Sequence, residues 1–272
     1  MKFSICNEMF ENWNLEDVME SAKSIGYDGV EIAPFTICNN VKEVSAEGRK
    51  DIADKAGSIG IDIVGLHWLL VKPEGLYINH PDESIRRETY QYLQELTRFC
   101  GDIGGKVMVI GSPKQRNVVE GITYERAWEL AKDSFKRCLP TAEEKGVTLC
   151  IEALAPEETD FINTVDEALR MVDEIDHPRF KAILDVKAMS TEGKDIPEII
   201  RRAEGRFGHV HANDANKLGP GFGDTDFRPI AKALRDTGYD GYVSVEVFDF
   251  SPGPVNIAKK SLKYLNQVFN GD

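Results

Sequence analysis

Eight short apolar runs, each followed by an amphipathic stretch, repeat along the whole 272-residue chain, and few folds accommodate that pattern. The runs occupy residues 2–6, 29–33, 61–66, 106–111, 147–152, 180–185, 207–211 and 242–246. Residues 14–25, 45–59, 82–100, 123–145, 164–175, 196–203, 226–237 and 254–269 carry apolar side chains at helical spacing. Strand then helix, eight times over, predicts an α/β fold of the (β/α)8 barrel type, whose usual length of about 250 residues this chain matches. Gly26, Gly60, Gly146 and Gly238 each stand where a helix should stop and a strand begin. GYDG occurs at two of these turns, at 26–29 and 238–241, as a repeated plan would give. Nothing resembling a low-complexity linker divides the chain, so residues 1–272 are expected to form one domain.

Four of the runs end on potential metal ligands: VTLCIE on Glu152, FKAILD on Asp185, FGHVH on His211 and YVSVE on Glu246. If the strands are parallel, these side chains emerge together at the C-terminal edge of the barrel, where such folds keep their active sites. A charge at the end of an apolar strand is costly to bury unless it is paired or bound to a metal. Three carboxylates and one imidazole suit one divalent cation, Mn2+, Mg2+ or Co2+ in six-coordinate geometry, with Zn2+ as a further alternative; a structural zinc site would favour thiolates.

Composition excludes several classes. A formal net charge of -13 opposes a polyanionic partner, because nucleic-acid binding depends on Lys and Arg neutralising phosphates. A small, neutral or weakly charged substrate is easier to reconcile. No apolar run approaches the roughly 18 residues of a membrane span, and the N-terminus lacks a basic segment leading into an apolar one, so a cytoplasmic location is expected. The five cysteines form no C-x-x-C pair and read as buried thiols.

With EALAPEETDFINTVDEAL at 152–169, HVHANDAN at 209–216 and GFGDTDFRPI at 221–230, the four strand endings resemble the sugar isomerase/epimerase superfamily of xylose-isomerase-like barrels, in particular ketose 3-epimerases and keto-acid sugar epimerases. The resemblance covers essentially the whole chain. It implies that Glu152, Asp185, His211 and Glu246 hold one divalent ion, Mn2+ first among the candidates, and that Glu152 and Glu246 also act as the acid/base pair. It further implies a cis-enediolate route: two carboxylates flanking one carbon invert it, whereas a single base returning the proton to the neighbouring carbon isomerises the sugar. Glu158 matches a family acid that supports the reaction site. Its usual partner is a histidine three residues after the aspartate, where this chain has Ala188. Lys217 stands where some epimerases carry a substrate-binding arginine. Barrels of this family often form homo-oligomers.

Loop residues are expected to choose the substrate. His67, ending the third strand, is placed on a substrate hydroxyl, and Trp68 is either an apolar wall for sugar C–H groups or a residue packed under a loop. Arg116, preferred over Lys114 for its fork geometry, is assigned to a substrate carboxylate or phosphate. Asn213 and Asp214 are read as groups orienting the histidine. His209 shares the strand face of His211 by period-two alternation. Asn163 is read as a helix cap or nearby contact, and His80 and His177 as loop residues beside prolines.

A sugar epimerase or isomerase is thus the leading expectation. The alternative is a metal-dependent lyase or deglycosylating enzyme acting on 3-oxo-glycosides by β-elimination, a reading that leans on Arg116 and Ala188. An abasic-site endonuclease would need three zinc ions and more than the five histidines present. A non-catalytic barrel would have to keep the four ligands by accident.

Overall fold

The computed structural model of the chain describes residues 1–270. Its strands are β1 (Lys2–Cys6), β2 (Gly29–Ile32), β3 (Asp62–Leu66), β4 (Val107–Ile110), β5 (Thr148–Glu152), β6 (Phe180–Asp185), β7 (Phe207–Ala212) and β8 (Tyr242–Val245). They pair in sequence order, all parallel, and β1 closes on β8 to complete the barrel. The helices are α1 (Leu15–Ile25), α2 (Ala46–Ile59), α3 (Glu83–Asp102), α4 (Tyr124–Lys145), α5 (Val165–Ile175), α6 (Val186–Ser190), α7 (Ile196–Arg202), α8 (Phe227–Asp236) and α9 (Pro254–Asn270).

Local chemistry sets where the helices begin and end. Asn14, Ser45, Asp82, Thr123, Thr164 and Asp226 each accept a backbone N–H of the first turn, satisfying donors that a helix leaves without partners. At α5 the exchange is reciprocal, Glu167 reaching back to the Thr164 backbone. Gly26, Gly60 and Gly146 close α1, α2 and α4 in the left-handed conformation that the sequence pattern predicts. One element was not anticipated: α6, five residues long, too short for apolar periodicity to reveal. Its N-cap is Asp185, one of the expected ligands.

Alternation along the strands sends one set of residues outward against the helices, forming the main core, and the other into the barrel. The interior is divided. Val109, Cys150 and Ile183, from β4, β5 and β6, make a small apolar cluster separate from the main core. Across from it lie Ser4, Glu31, His209 and Ser244, none more than 1% exposed, with the Ser4 and Ser244 hydroxyl oxygens 2.7 Å apart. Small residues make room for this polar half; the inner face of β3 carries Gly65, where any Cβ would run into the Val107 carbonyl.

Among the described residues no helix is long and apolar enough to cross a membrane. Cys6, Cys100, Cys138 and Cys150 are buried free thiols, as expected, and Cys38 is partly exposed.

Two glycines give opposite expectations. Gly65→Ala forces main chain rather than a side chain to move, so it costs at least the about 1–3 kcal/mol typical of overpacking. Gly57→Ala, on an exposed turn of α2 where a Cβ meets nothing, gains about 0.5–1 kcal/mol. Urea unfolding of the two variants measures both, and equal midpoints would refute the account of the interior.

Candidate active site

Glu152 and Asp185 are the last residues of β5 and β6, His211 is the penultimate residue of β7, and Glu246 lies one residue beyond β8. Each offers one ligand atom, and the four atoms lie within 4.8 Å of one another. The His211 Nδ1 is 3.0 Å from the Glu246 Oε2 and 3.8 Å from the Glu152 Oε1. Neither His211 Nδ1 nor Glu246 Oε2 has a hydrogen-bond partner although both are buried. Gly111 lacks the Cβ that would overlap the Glu152 carboxylate. A buried set of three carboxylates and one imidazole, with facing atoms left without hydrogen bonds, fits a divalent cation.

Among the protein groups alone, burial and neighbouring charges shift the proton affinities of all four. Burial, then the charges of Glu246 and Asp185, push the Glu152 carboxyl well above its ordinary value. Burial and Glu246 push Asp185 up to about 6. Burial alone would raise Glu246, but His211 outweighs it and holds that carboxyl below the usual range. Burial alone would lower His211, but Glu246 and Glu31 outweigh it and raise the ring well above the usual imidazole value.

Glu31, on β2, was not among the residues expected at the site. It is fully buried, with its Oε1 3.1 Å from the His211 Nε2 and its Oε2 2.8 Å from the His209 Nε2. The two histidines outweigh the burial and hold its carboxyl well below the usual range. Glu31 thus fixes the far side of the His211 ring and turns Nδ1 toward the acids, a common arrangement for metal-binding histidines. An acid in the middle of the apolar run GVEIA was the available signal.

Asn213 does orient a ligand, but a different one: its side-chain amide donates to the Asp185 Oδ2 at 2.6 Å, while the Asp185 Oδ1 accepts the Ala188 N–H at 2.7 Å. The Asn213 Oδ1 in turn accepts the Lys187 N–H at 2.7 Å. Asp214 instead fastens its own loop, accepting from the Thr225 hydroxyl at 3.0 Å. Glu158 lacks a histidine partner at Ala188 and pairs with Lys187, 2.7 Å away. Lys187, also unforeseen, lies over the Phe248 ring at 4.4 Å.

At the mouth of the barrel a small cavity is lined by Glu152, Asp185 and Glu246, and further by Glu158, Lys187, His67, Trp68 and Phe248. The His67 Nε2 sits 2.6 Å from the Glu8 Oε2, and its Nδ1 is buried without a partner.

Arg116 and Lys217 require correction of the placement expected for them. The chain after β4 makes the short turn Pro113–Gln115 and carries Arg116 back into the wall, where its guanidinium donates to the carbonyls of Glu152 at 2.7 Å and Ile162 at 2.9 Å. It is 2% exposed and does not line the cavity. Lys217 is exposed, with its carbonyl accepting the Phe248 and Asp249 N–H groups. Lys114 is exposed as well, and Asn163 braces the loop after β5 by donating to the Leu154 and Thr159 carbonyls. His80 and His177 each accept a backbone N–H in their loops. Among the described residues, the one basic group lining the cavity besides His67 is therefore Lys187, already paired with Glu158. That leaves no uncommitted cation for a substrate anion and removes the support Arg116 lent to the lyase reading.

Comparison with known proteins places the fold and the family. The D-psicose 3-epimerase of Enterocloster bolteae is 38% identical over 87% of this chain and 78% of its own length. The 3-dehydro-D-guloside 4-epimerase of Escherichia coli is 24% identical over 97% of this chain and 99% of its own. A crystal structure of D-psicose 3-epimerase with D-tagatose from Clostridium cellulolyticum superposes with a TM-score of 0.89 at 24% identity, covering 99% of each chain. The model of one family matches residues 19–268, and the chain belongs to it: the xylose isomerase-like TIM barrels.

Proposed function

We propose that this enzyme is a divalent-cation-dependent sugar epimerase acting on a neutral ketose or keto-sugar. The observation that carries the reading is the convergence of two buried carboxylates, Glu152 from β5 and Glu246 from the end of β8, on one cavity beside Asp185 and His211. The relatives named above, which act on ketoses and a keto-glycoside, support it.

Glu152, Asp185, His211 and Glu246 would hold the cation, Mn2+ ahead of Mg2+, Co2+ or Zn2+. Once bound, it supplies positive charge opposite two adjacent substrate oxygens, so that the charge left by removing a neighbouring proton is stabilised. Glu152 and Glu246 take that proton from the carbon and return one to it, and using the two carboxylates in turn inverts the centre. His67, held by Glu8, binds a substrate hydroxyl, and Glu158 with Lys187 fixes the opposite wall. Glu31 acts through His211 as a positioning residue.

Incubation with ketoses and 3-oxo sugars in deuterated water tests the reaction: deuterium appears at one carbon together with inversion there. No exchange with any member of such a panel, despite bound metal, overturns the reading. Glu246→Gln lowers turnover by about 10²–10⁴-fold or more with the fold intact by circular dichroism; unchanged turnover would remove Glu246 from the chemistry.

Glu31→Gln weakens Mn2+ binding by about 10–100-fold in calorimetric titration. Equal affinity in the variant and the parent would mean that Glu31 serves the barrel alone.

The raised proton affinities of His211 and Glu152 also predict a pH dependence. His211 and Glu152 hold their protons more tightly than usual, and the ligand atoms must lose protons to bind a cation. Lower pH therefore favours the protonated, non-binding forms, and the Mn2+ dissociation constant rises as pH falls from 8 to 5. Calorimetry in buffers of different ionisation enthalpy detects the released protons; an affinity flat across that interval contradicts the protonation pattern.

A further inference from the structure

We propose that the barrel holds a second cation site, for Zn2+, formed by the Cys6 thiolate, one Glu31 carboxylate oxygen and the His67 Nδ1. The site is separate from the four catalytic ligands, and it stands or falls independently of the epimerase reading.

The catalytic ligands come from β5 to β8, whereas Cys6 ends β1, Glu31 lies in β2 and His67 directly follows β3. Cys6 and Glu31 face each other in the pairing of β1 with β2, and the His67 N–H donates to the Ile32 carbonyl at 3.1 Å. Three neighbouring strands thus bring the three side chains to one level of the barrel. The pairing of β2 with β3 shifts register between Val30 and Glu31, an irregularity of the kind that re-aims side chains beside functional sites. One potential ligand atom from each residue lies within 4.8 Å of the other two, and no member of the trio is more than 1% exposed.

The His67 ring points to a cation. Its Nε2 is 2.6 Å from the Glu8 Oε2, while its Nδ1 is buried without a hydrogen-bond partner and faces the Glu31 Oε1 at 3.9 Å. His211 has the same arrangement, with Glu31 on Nε2 and an unpartnered Nδ1 turned toward acids. A carboxylate on one ring nitrogen and a metal on the other is the usual setting of a ligating imidazole. Donor atoms on a tetrahedral zinc stand about 3.3 Å apart, so a small movement of one side chain closes the site. The substrate hydroxyl assigned to His67 meets the Nε2 side of the ring, so the two roles do not compete.

Ligand chemistry chooses the ion. A thiolate selects Zn2+ over Mn2+ or Mg2+, the reverse of the preference of the oxygen-rich catalytic set. Zn2+ with one thiolate and one carboxylate is neutral as a unit, which lowers the cost of burying it. On the metal-dependent reading above, a cation on the His211 Nδ1 leaves that ring uncharged, and Glu31 loses one of its two compensating partners. A second cation on the Glu31 Oε1 replaces the lost charge. The Ser244 hydroxyl oxygen, 3.9 Å from the Cys6 Sγ, offers a neutral fourth donor.

The test loads the reduced full chain with Co2+ during refolding from urea and removes unbound metal by gel filtration. Two equivalents of Co2+ and an intense near-ultraviolet thiolate-to-metal band are expected; oxygen and nitrogen ligands alone give no such band. Cys6→Ser abolishes the band and reduces the content to one equivalent, whereas Cys38→Ser, which alters the partly exposed thiol, changes neither. One equivalent without the band, or a band that survives Cys6→Ser, overturns the proposal. One equivalent with a band that Cys6→Ser removes upholds it and counts instead against the four-ligand site. Should Cys6→Ser fail to fold, X-ray absorption of the Zn2+-loaded Cys38→Ser chain decides. Sulfur at about 2.3 Å from zinc upholds the proposal, and a shell of oxygen and nitrogen alone refutes it.

Discussion

The His211 ring stands between two acids, hydrogen-bonded to Glu31 on its far side, and the site depends on that placement. Its Nε2 faces Glu31 at 3.1 Å and its Nδ1 faces Glu246 at 3.0 Å. Glu31 comes from β2, His211 from β7 and Glu246 from the end of β8, so the ring finds both partners only after β1 and β8 have paired and the barrel is closed. Asp185 is fixed in the same manner, by the first turn of α6 on one oxygen and Asn213 on the other. Orientation is thus established by the fold before any ligand arrives, which is the condition under which positioned groups accelerate reactions most.

Burying that many ionisable groups would ordinarily oppose folding. Glu31 is tolerated because two histidines compensate its charge, and at Glu152 burial beside Glu246 and Asp185 shifts the carboxyl toward its neutral form. The division of the barrel interior serves the same end. Val109, Cys150 and Ile183 give an apolar half that needs no partners, while Ser4 and Ser244 satisfy one another in the polar half. Removing Glu31 outright would leave His209 and His211 without their shared acid, so its worth to the metal site and to the barrel cannot be separated by deletion alone; the isosteric Gln separates them better.

The order of elements was legible because strand and helix periods differ. The strand-end ligands were legible because an acid that closes an apolar run is costly to bury unless a cation or a paired group meets it. The limits of legibility were directional. GVEIA contains a charged residue whose inward orientation follows from strand register, and register depends on pairing between segments far apart in sequence. Arg116 follows a strand end, as an active-site residue would, yet a three-residue turn sends it back into the wall; sequence supplies its position along the chain but not that reversal. The absence of a histidine at position 188 supported the lyase alternative, whereas Lys187, one residue earlier on an unanticipated short helix, supplies the partner for Glu158.

That replacement ties Glu158 to an aromatic wall of the catalytic cavity. A histidine can donate and accept within one ring plane, whereas the lysine ammonium only donates, and its long stem lets it serve two neighbours at once. The Lys187 ammonium binds Glu158 and covers the face of Phe248, a ring that also lines the cavity. The charge is thereby committed to the protein rather than to the substrate, in agreement with a neutral sugar. Because Lys187 also occupies the turn capped by Asp185, one wall of the cavity and the Asp185 carboxylate are set by one short helix, and a change in α6 would alter both together.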